Sequence, residues 1–191
     1  RYPDHKNRYQ RDAFAHLLFK PLLDEVAKLA PNEDARITLT DYMMAKHGLE
    51  RNRVMAERDA QKDYKATQQA HPHSKKTLQD FIDEYRQKDY AGLTALTGTD
   101  NVADAEAEAQ ILVNDYEAAH DTAALWKRTN DVSNAILSKL YETGMMSKDT
   151  YDNVRSMYEY YIPLRGFDEK TSEEAYAYLN SKNSAFNAPI K

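Results

Sequence analysis

The chain contains no cysteine in 191 residues, which removes disulfides, thiolate nucleophiles and cysteine-ligated zinc and fits a reducing compartment. Glycine and proline are scarce, at five and six residues. That is too few for a β-sandwich, which needs a tight turn every few residues. No apolar run approaches the roughly 18 residues that would cross a bilayer. The opening Arg1-Tyr2-Pro3-Asp4 lacks a signal-peptide pattern. The expectation is therefore a cytoplasmic, non-membrane protein. Glycine-rich phosphate loops, G-x-S-x-G elbows and paired histidines at zincin spacing are missing too. Without a catalytic frame, the chain is read as a non-enzyme that needs no cofactor or metal.

What is present is helix. Hydrophobic residues make up 41% and charged residues 30%, and the apolar positions recur at three and four residues almost throughout. Residues from about Tyr9 to Ala30 carry a stripe of Ala13, Leu17, Leu18, Leu22, Val26 and Leu29, which Pro21 should kink or divide. After a turn at Pro31-Asn32-Glu33-Asp34, Thr38 or Thr40 is expected to cap a helix reaching about Gln69, with Tyr42, Ala45, Leu49, Ala56 and Ala60 on its buried face. Asn52 interrupts that face. A third helix is predicted from Thr77 to about Tyr90, and a looser stretch from Leu93 to Asn101.

The longest pattern runs from about 103 to 141, where Ala105, Ala109, Leu112, Tyr116, Ala119, Ala123, Trp126, Ser133, Leu137 and Leu140 hold one stripe. A continuous helix of that length would span roughly 55 to 60 Å. An elongated bundle, or a break near Lys127 to Asp131, is therefore expected. Gly144 reads as a C-terminal cap and Ser147 as an N-cap. A short helix should follow over Thr150 to Tyr158, then a last amphipathic segment over about 172–179. The fold class is all-α, an elongated helical bundle with one very long or broken helix. Residues 1–191 form one helical domain with an irregular tail at 181–191, expected to be a piece of a much longer multidomain protein.

Charge is divided unevenly. Residues 1–76 carry 15 Lys and Arg against 11 Asp and Glu, and residues 77–191 carry 11 against 20. Five of the six histidines also lie in the first part. A mildly basic first half makes DNA an alternative partner, through Arg8, Arg11, Lys46, Arg51, Arg53 and Arg58, with Arg53 and Arg58 as its main contacts.

Two segments stand out from this helical background. Tyr42-Met43-Met44-Ala45-Lys46-His47-Gly48-Leu49-Glu50-Arg51-Asn52 places an ionisable cluster on one helix. Tyr160-Tyr161-Ile162-Pro163-Leu164-Arg165-Gly166-Phe167 stops a helix with proline, turns with glycine and packs three aromatics and an arginine into eight residues. The first resembles the "Y-x-x-A-K-H-x-x-E-R-N" helix of large polyvalent proteins carried by phages and conjugative elements. The second, with Gly144, Ser147, Tyr151 and Tyr158 before it, resembles the "G-x-I-S-x-x-x-Y … Y-Y-V-P-L-R-G" segment downstream in the same proteins. It departs at Met145-Met146, where isoleucine is common.

The resemblance implies an associated helical module of a giant chain that also bears helicase-like, methylase-like or peptidase-like modules. It implies partners among the other domains of that polypeptide and a role linked to DNA transfer or protection, and it implies no catalytic residue. Read from chemistry alone, His47 and Glu50 lack the further ligands a metal needs. His71 and His73 belong to an exposed turn, and Trp126 and Tyr116 to the core. Lys46, His47, Glu50, Arg51 and Asn52 on one side, with Tyr161, Pro163, Arg165 and Gly166 on the other, are expected to form a structural clasp. Within it, Arg165 is expected to hold a carboxylate of that helix, such as Glu50, or helix-terminal carbonyls.

Overall fold

A computed structural model describes residues 13, 15–90 and 92–162. Among them the protein is an all-α bundle of seven α-helices with no strand. The helices are α1 (Lys20–Leu29), α2 (Glu33–Ala70), α3 (Leu78–Tyr85), α4 (Leu93–Thr97), α5 (Val102–Ala119), α6 (Ala123–Glu142) and α7 (Lys148–Met157). Arg8, Arg11, Pro163, Arg165, Gly166 and the segments expected at 172–179 and 181–191 lie outside the described residues.

The long helix α2 organises the rest. Its 38 residues give an axis of roughly 57 Å. It starts earlier than the threonines suggest, because the Asn32 side chain accepts a hydrogen bond from the Ala35 amide at 2.9 Å, with Glu33 and Asp34 in the first turn. The Thr38 and Thr40 hydroxyls, read from the sequence as caps, instead donate back to the Asp34 and Arg36 carbonyls at 3.0 and 2.8 Å inside the helix. The helix itself contains no proline, and Pro72 forces His71 out of the helical region and ends the element.

Shorter helices are set by equally local rules. Pro21 lies at the start of α1, directly after a π-helical turn over Ala15–Phe19. Proline has no N–H for the regular ladder, and a π-turn beside it absorbs the irregularity. Thr77 and Asp80 form a reciprocal capping box at the head of α3. The stretch expected to be loose, 93–101, contains α4. The Asp89 carboxylate accepts from the Leu93 and Thr94 amides, each at 2.9 Å, and Gly92 and Gly98 frame the helix at φ 72° and 76°.

The break in the 103–141 pattern falls at His120-Asp121-Thr122 and not at Lys127 to Asp131. Asp121 and Thr122 are capping residues: the Asp121 carboxylate accepts from Ala123 N at 3.1 Å, while the Thr122 carbonyl accepts from Trp126 N at 3.1 Å. Lys127 and Asp131 form an i,i+4 ion pair at 3.0 Å, which favours a continuous helix there. The break also resets the helical phase. Val113 is buried where Leu112 was expected, and Ala119 and Ala123 are exposed.

Helix α2 packs against α3 and α5, α4 sits against α5 and α2, α1 lies on α6, and α7 folds back on α6. Alanines make the close approach possible: Ala45 of α2 and Ala105 and Ala109 of α5 are fully buried in one cluster with Tyr42, Leu93, Leu125 and Trp126, and Ala56 and Ala60 are fully buried farther along α2. Replacing Ala109 by leucine should therefore cost about 1–3 kcal/mol of stability through overpacking. The same change at exposed Ala107 should stay within about 0.5 kcal/mol. Urea unfolding midpoints of the two variants check the difference, and equal midpoints would contradict this packing.

Candidate functional site

Tyr42, Lys46 and Glu50 follow one another at four-residue spacing, so they share one side of α2. That side meets the α5–α6 turn and the irregular segment 158–162 that leaves α7.

Tyr42 is fully buried, and its hydroxyl joins three helices. The Glu117 carboxylate has no proton to give, so the Tyr42 O–H donates to it at 2.7 Å. With that proton committed, the Thr122 hydroxyl at 3.1 Å and the Trp126 indole N–H at 2.8 Å turn toward the phenol oxygen. Burial first, and then the Glu117 carboxylate, push the Tyr42 phenol up to about 12, so it stays a proton donor. Its ring stacks on Tyr116 at 4.3 Å, and Tyr116 stacks on His120 at 4.3 Å.

Lys46 completes the polar side of this network. Its ammonium pairs with Glu117 and lies 4.1 Å over the Tyr160 ring. Burial alone would raise the Glu117 carboxyl, but the hydrogen bonds from Lys46 and Tyr42 outweigh it and hold the group below its ordinary value.

Glu50 supplies the fastening of the clasp. One carboxylate oxygen accepts the Glu159 amide at 2.8 Å and the other accepts the Tyr160 amide at 2.9 Å. From α6, the Asn130 side-chain amide donates to the Glu159 carbonyl at 2.8 Å. Two side chains on different helices thus replace the partners that a helix or sheet would give this backbone. The Tyr160 ring then meets Trp126 edge-on at 5.0 Å.

His47 fills the other side of the clasp. It is 1% exposed and faces Tyr158 and Tyr161 edge-on at 5.6 and 5.7 Å. Burial drives its pKa down to about 4; the Tyr160 backbone opposes that shift and the Arg51 cation adds to it. The imidazole is neutral near pH 7, and among the described residues its Nδ1 has no hydrogen-bond partner.

Other residues singled out in the sequence go elsewhere. Arg51 reaches the Tyr90 carbonyl through Nε at 3.4 Å, tying α2 to the α3–α4 connection. Asn52 is buried, and its Oδ1 is unpaired among the described residues. Arg53 is exposed on a cleft of about 420 Å³ that Glu50, Glu106 and Glu117 also line. Arg58 is exposed beside Asp59 at 3.1 Å. His71 and His73 are exposed, and Trp126 and Tyr116 are buried. The expected Arg165–Glu50 pair lies outside the described residues, while both Glu50 oxygens hold backbone amides. Among the described residues no cluster of three or more His, Asp or Glu side chains could hold a metal.

Sequence reasoning overlooked the part played by Glu117, Thr122 and the Asn130–Glu159 bond. Asn130 did leave a signal, as a polar residue on an apolar stripe. Glu117 left none, because an exposed-type residue on an acidic helix looks like solvated surface.

Two outcomes follow from this geometry. Glu50→Ala removes two charge-assisted hydrogen bonds and should cost roughly 1–3 kcal/mol. It should also collapse the exchange protection of the Glu159 and Tyr160 amides and change Trp126 fluorescence; amides as protected as in the parent would refute the fastening. For His47, the folded pKa lies below the ordinary value of 6.5, so the unfolded chain takes up the proton first. Its contribution to stability is then present above pH 6.5 and declines as pH falls toward 4. Between pH 7 and 5.5 the decline should be about 1 kcal/mol. In His47→Phe that portion of the pH dependence, read from urea midpoints, should vanish.

Comparison of the chain with protein-family models, curated proteins and solved structures yields no match.

Proposed function

We propose that this chain is a non-catalytic helical scaffold or interaction module, working beside the other domains of a large phage or conjugative-element protein concerned with DNA transfer or protection. The mobile-element setting rests on the resemblance of the Tyr42–Asn52 and Tyr160–Phe167 segments. The structural support is one observation: the chemically capable groups of the first segment are engaged in holding the fold. Lys46 joins α5 and the Tyr160 ring, Glu50 holds two backbone amides, and His47 is enclosed between two tyrosines. Groups so engaged are positioned for rigidity and not for turnover.

The DNA-contacting alternative finds less support. Arg53 and Arg58 are five residues apart, hence about 140° apart around α2. Arg53 shares its cleft with Lys46 and Arg86 but also with four glutamates, Glu50, Glu106, Glu117 and Glu159. A phosphate backbone favours cations gathered on one face.

Anisotropy of a labelled DNA duplex titrated with the full chain at low and physiological salt tests the choice. The scaffold reading expects no salt-dependent binding at micromolar protein. Binding that weakens with salt and is lost in Arg53→Glu/Arg58→Glu would replace it with the DNA reading.

A further inference from the structure

Helix α5 carries Asp104, Glu106, Glu108, Asp115 and Glu117 and neither lysine nor arginine. Among the described residues, Glu117 is the one acid of this set in an ion pair. Glu108, Ile111, Leu112 and Asp115 are spaced by three, four and seven residues, so they lie on one face. That face is not covered by the bundle: Ile111 is 59% exposed. An open groove of about 480 Å³ runs along it, lined by Leu112 and Tyr116 and bounded by Thr38 of α2. Nearby on α2, Ile37 is 56% exposed. Tyr116 lines this groove and is itself only 6% exposed.

We propose that this groove docks an amphipathic helix of a partner protein, with leucine- or isoleucine-sized side chains on its apolar face and lysine or arginine beside them. The proposal rests on the interaction-module reading and gives that partner its chemistry. The apolar seat between Leu112 and Ile111 takes the hydrophobic anchors in the helix-in-groove manner. Glu108 and Asp115 stand about 10 Å apart along the axis, which matches cations spaced by two turns on an incoming helix. Charge complementarity of this kind selects the partner and speeds its approach. A second copy of the chain fits poorly, because symmetric pairing of this face sets its acids against themselves and the chain is already at −5. Nucleic acid is repelled for the same reason.

The test uses the full chain and two labelled peptides of about 18 residues, five helical turns. One carries leucine in the i, i+3, i+4, i+7 register with lysine at the remaining positions, and its twin replaces every lysine by glutamate. The lysine peptide should bind, with the glutamate peptide at least about tenfold weaker. Ile111→Asp, at an exposed position and checked for folding by circular dichroism, should weaken the lysine peptide by roughly tenfold or more. Purely coulombic attraction predicts the reverse, since this variant adds a negative charge; unchanged or tighter binding would overturn the proposal. So would no binding of the lysine peptide, or a concentration-dependent dimer that Ile111→Asp dissolves. Failure of the peptide leaves the interaction-module reading standing, whereas salt-dependent duplex binding removes that reading whatever the peptide does.

Discussion

The buried hydroxyl of Tyr42 is the constraint around which this bundle is arranged. A phenol with no exposure must find partners inside the protein or carry the cost of desolvation. Here it finds three, on α5, on α6 and at the turn between them. Satisfying it fixes where α5 must end, how α6 must be rotated to present Trp126, and which carboxylate Lys46 can reach. The helix break meets that oxygen through Thr122, and the clasp is linked to it through Lys46 and Trp126, which both contact Tyr160.

Alanine contacts and polar fastening divide the labour. Fully buried alanines let α2 and α5 approach closely, and close packing of that kind tolerates little change in volume. Segment 158–162 has no such surface to offer. It is attached by directed bonds from Glu50 and Asn130 and by aromatic edges against His47 and Trp126. Its attachment therefore depends on a few groups, and loss of one of them opens a route to local loosening. The acidic outer face of α5 needs none of these contacts, which leaves it free to be a surface for others.

Much of the helix inventory was legible in the chain. Thr77 and Ser147 start helices as their side chains suggest, Pro72 stops one, and Gly144 ends another with φ 73°. The exceptions are instructive. Thr38 and Thr40 look like caps, but Asn32 starts the helix more than a turn earlier, and a threonine inside a helix can satisfy itself on the preceding turn. The break in the 103–141 pattern is expected near Lys127 to Asp131, around polar Asn130, yet the Asn130 side chain bonds to the Glu159 carbonyl while Asp121 and Thr122 supply the cap. A polar residue on an apolar stripe marks either a helix end or a distant backbone partner, and the sequence does not distinguish them.

The sequence by itself determined what can be settled within about one helical turn: an all-α class, the positions of caps and stops, and the alanine face that α2 buries. Those choices depend on backbone groups and side chains three or four residues apart. Only the tertiary structure decided that Glu50 would hold Tyr160 across 110 positions, and that Trp126 would reach Tyr42 across 84. Such pairings follow from how whole helices pack, and the packing is chosen by the sum of many small burials that leave no local mark in the chain.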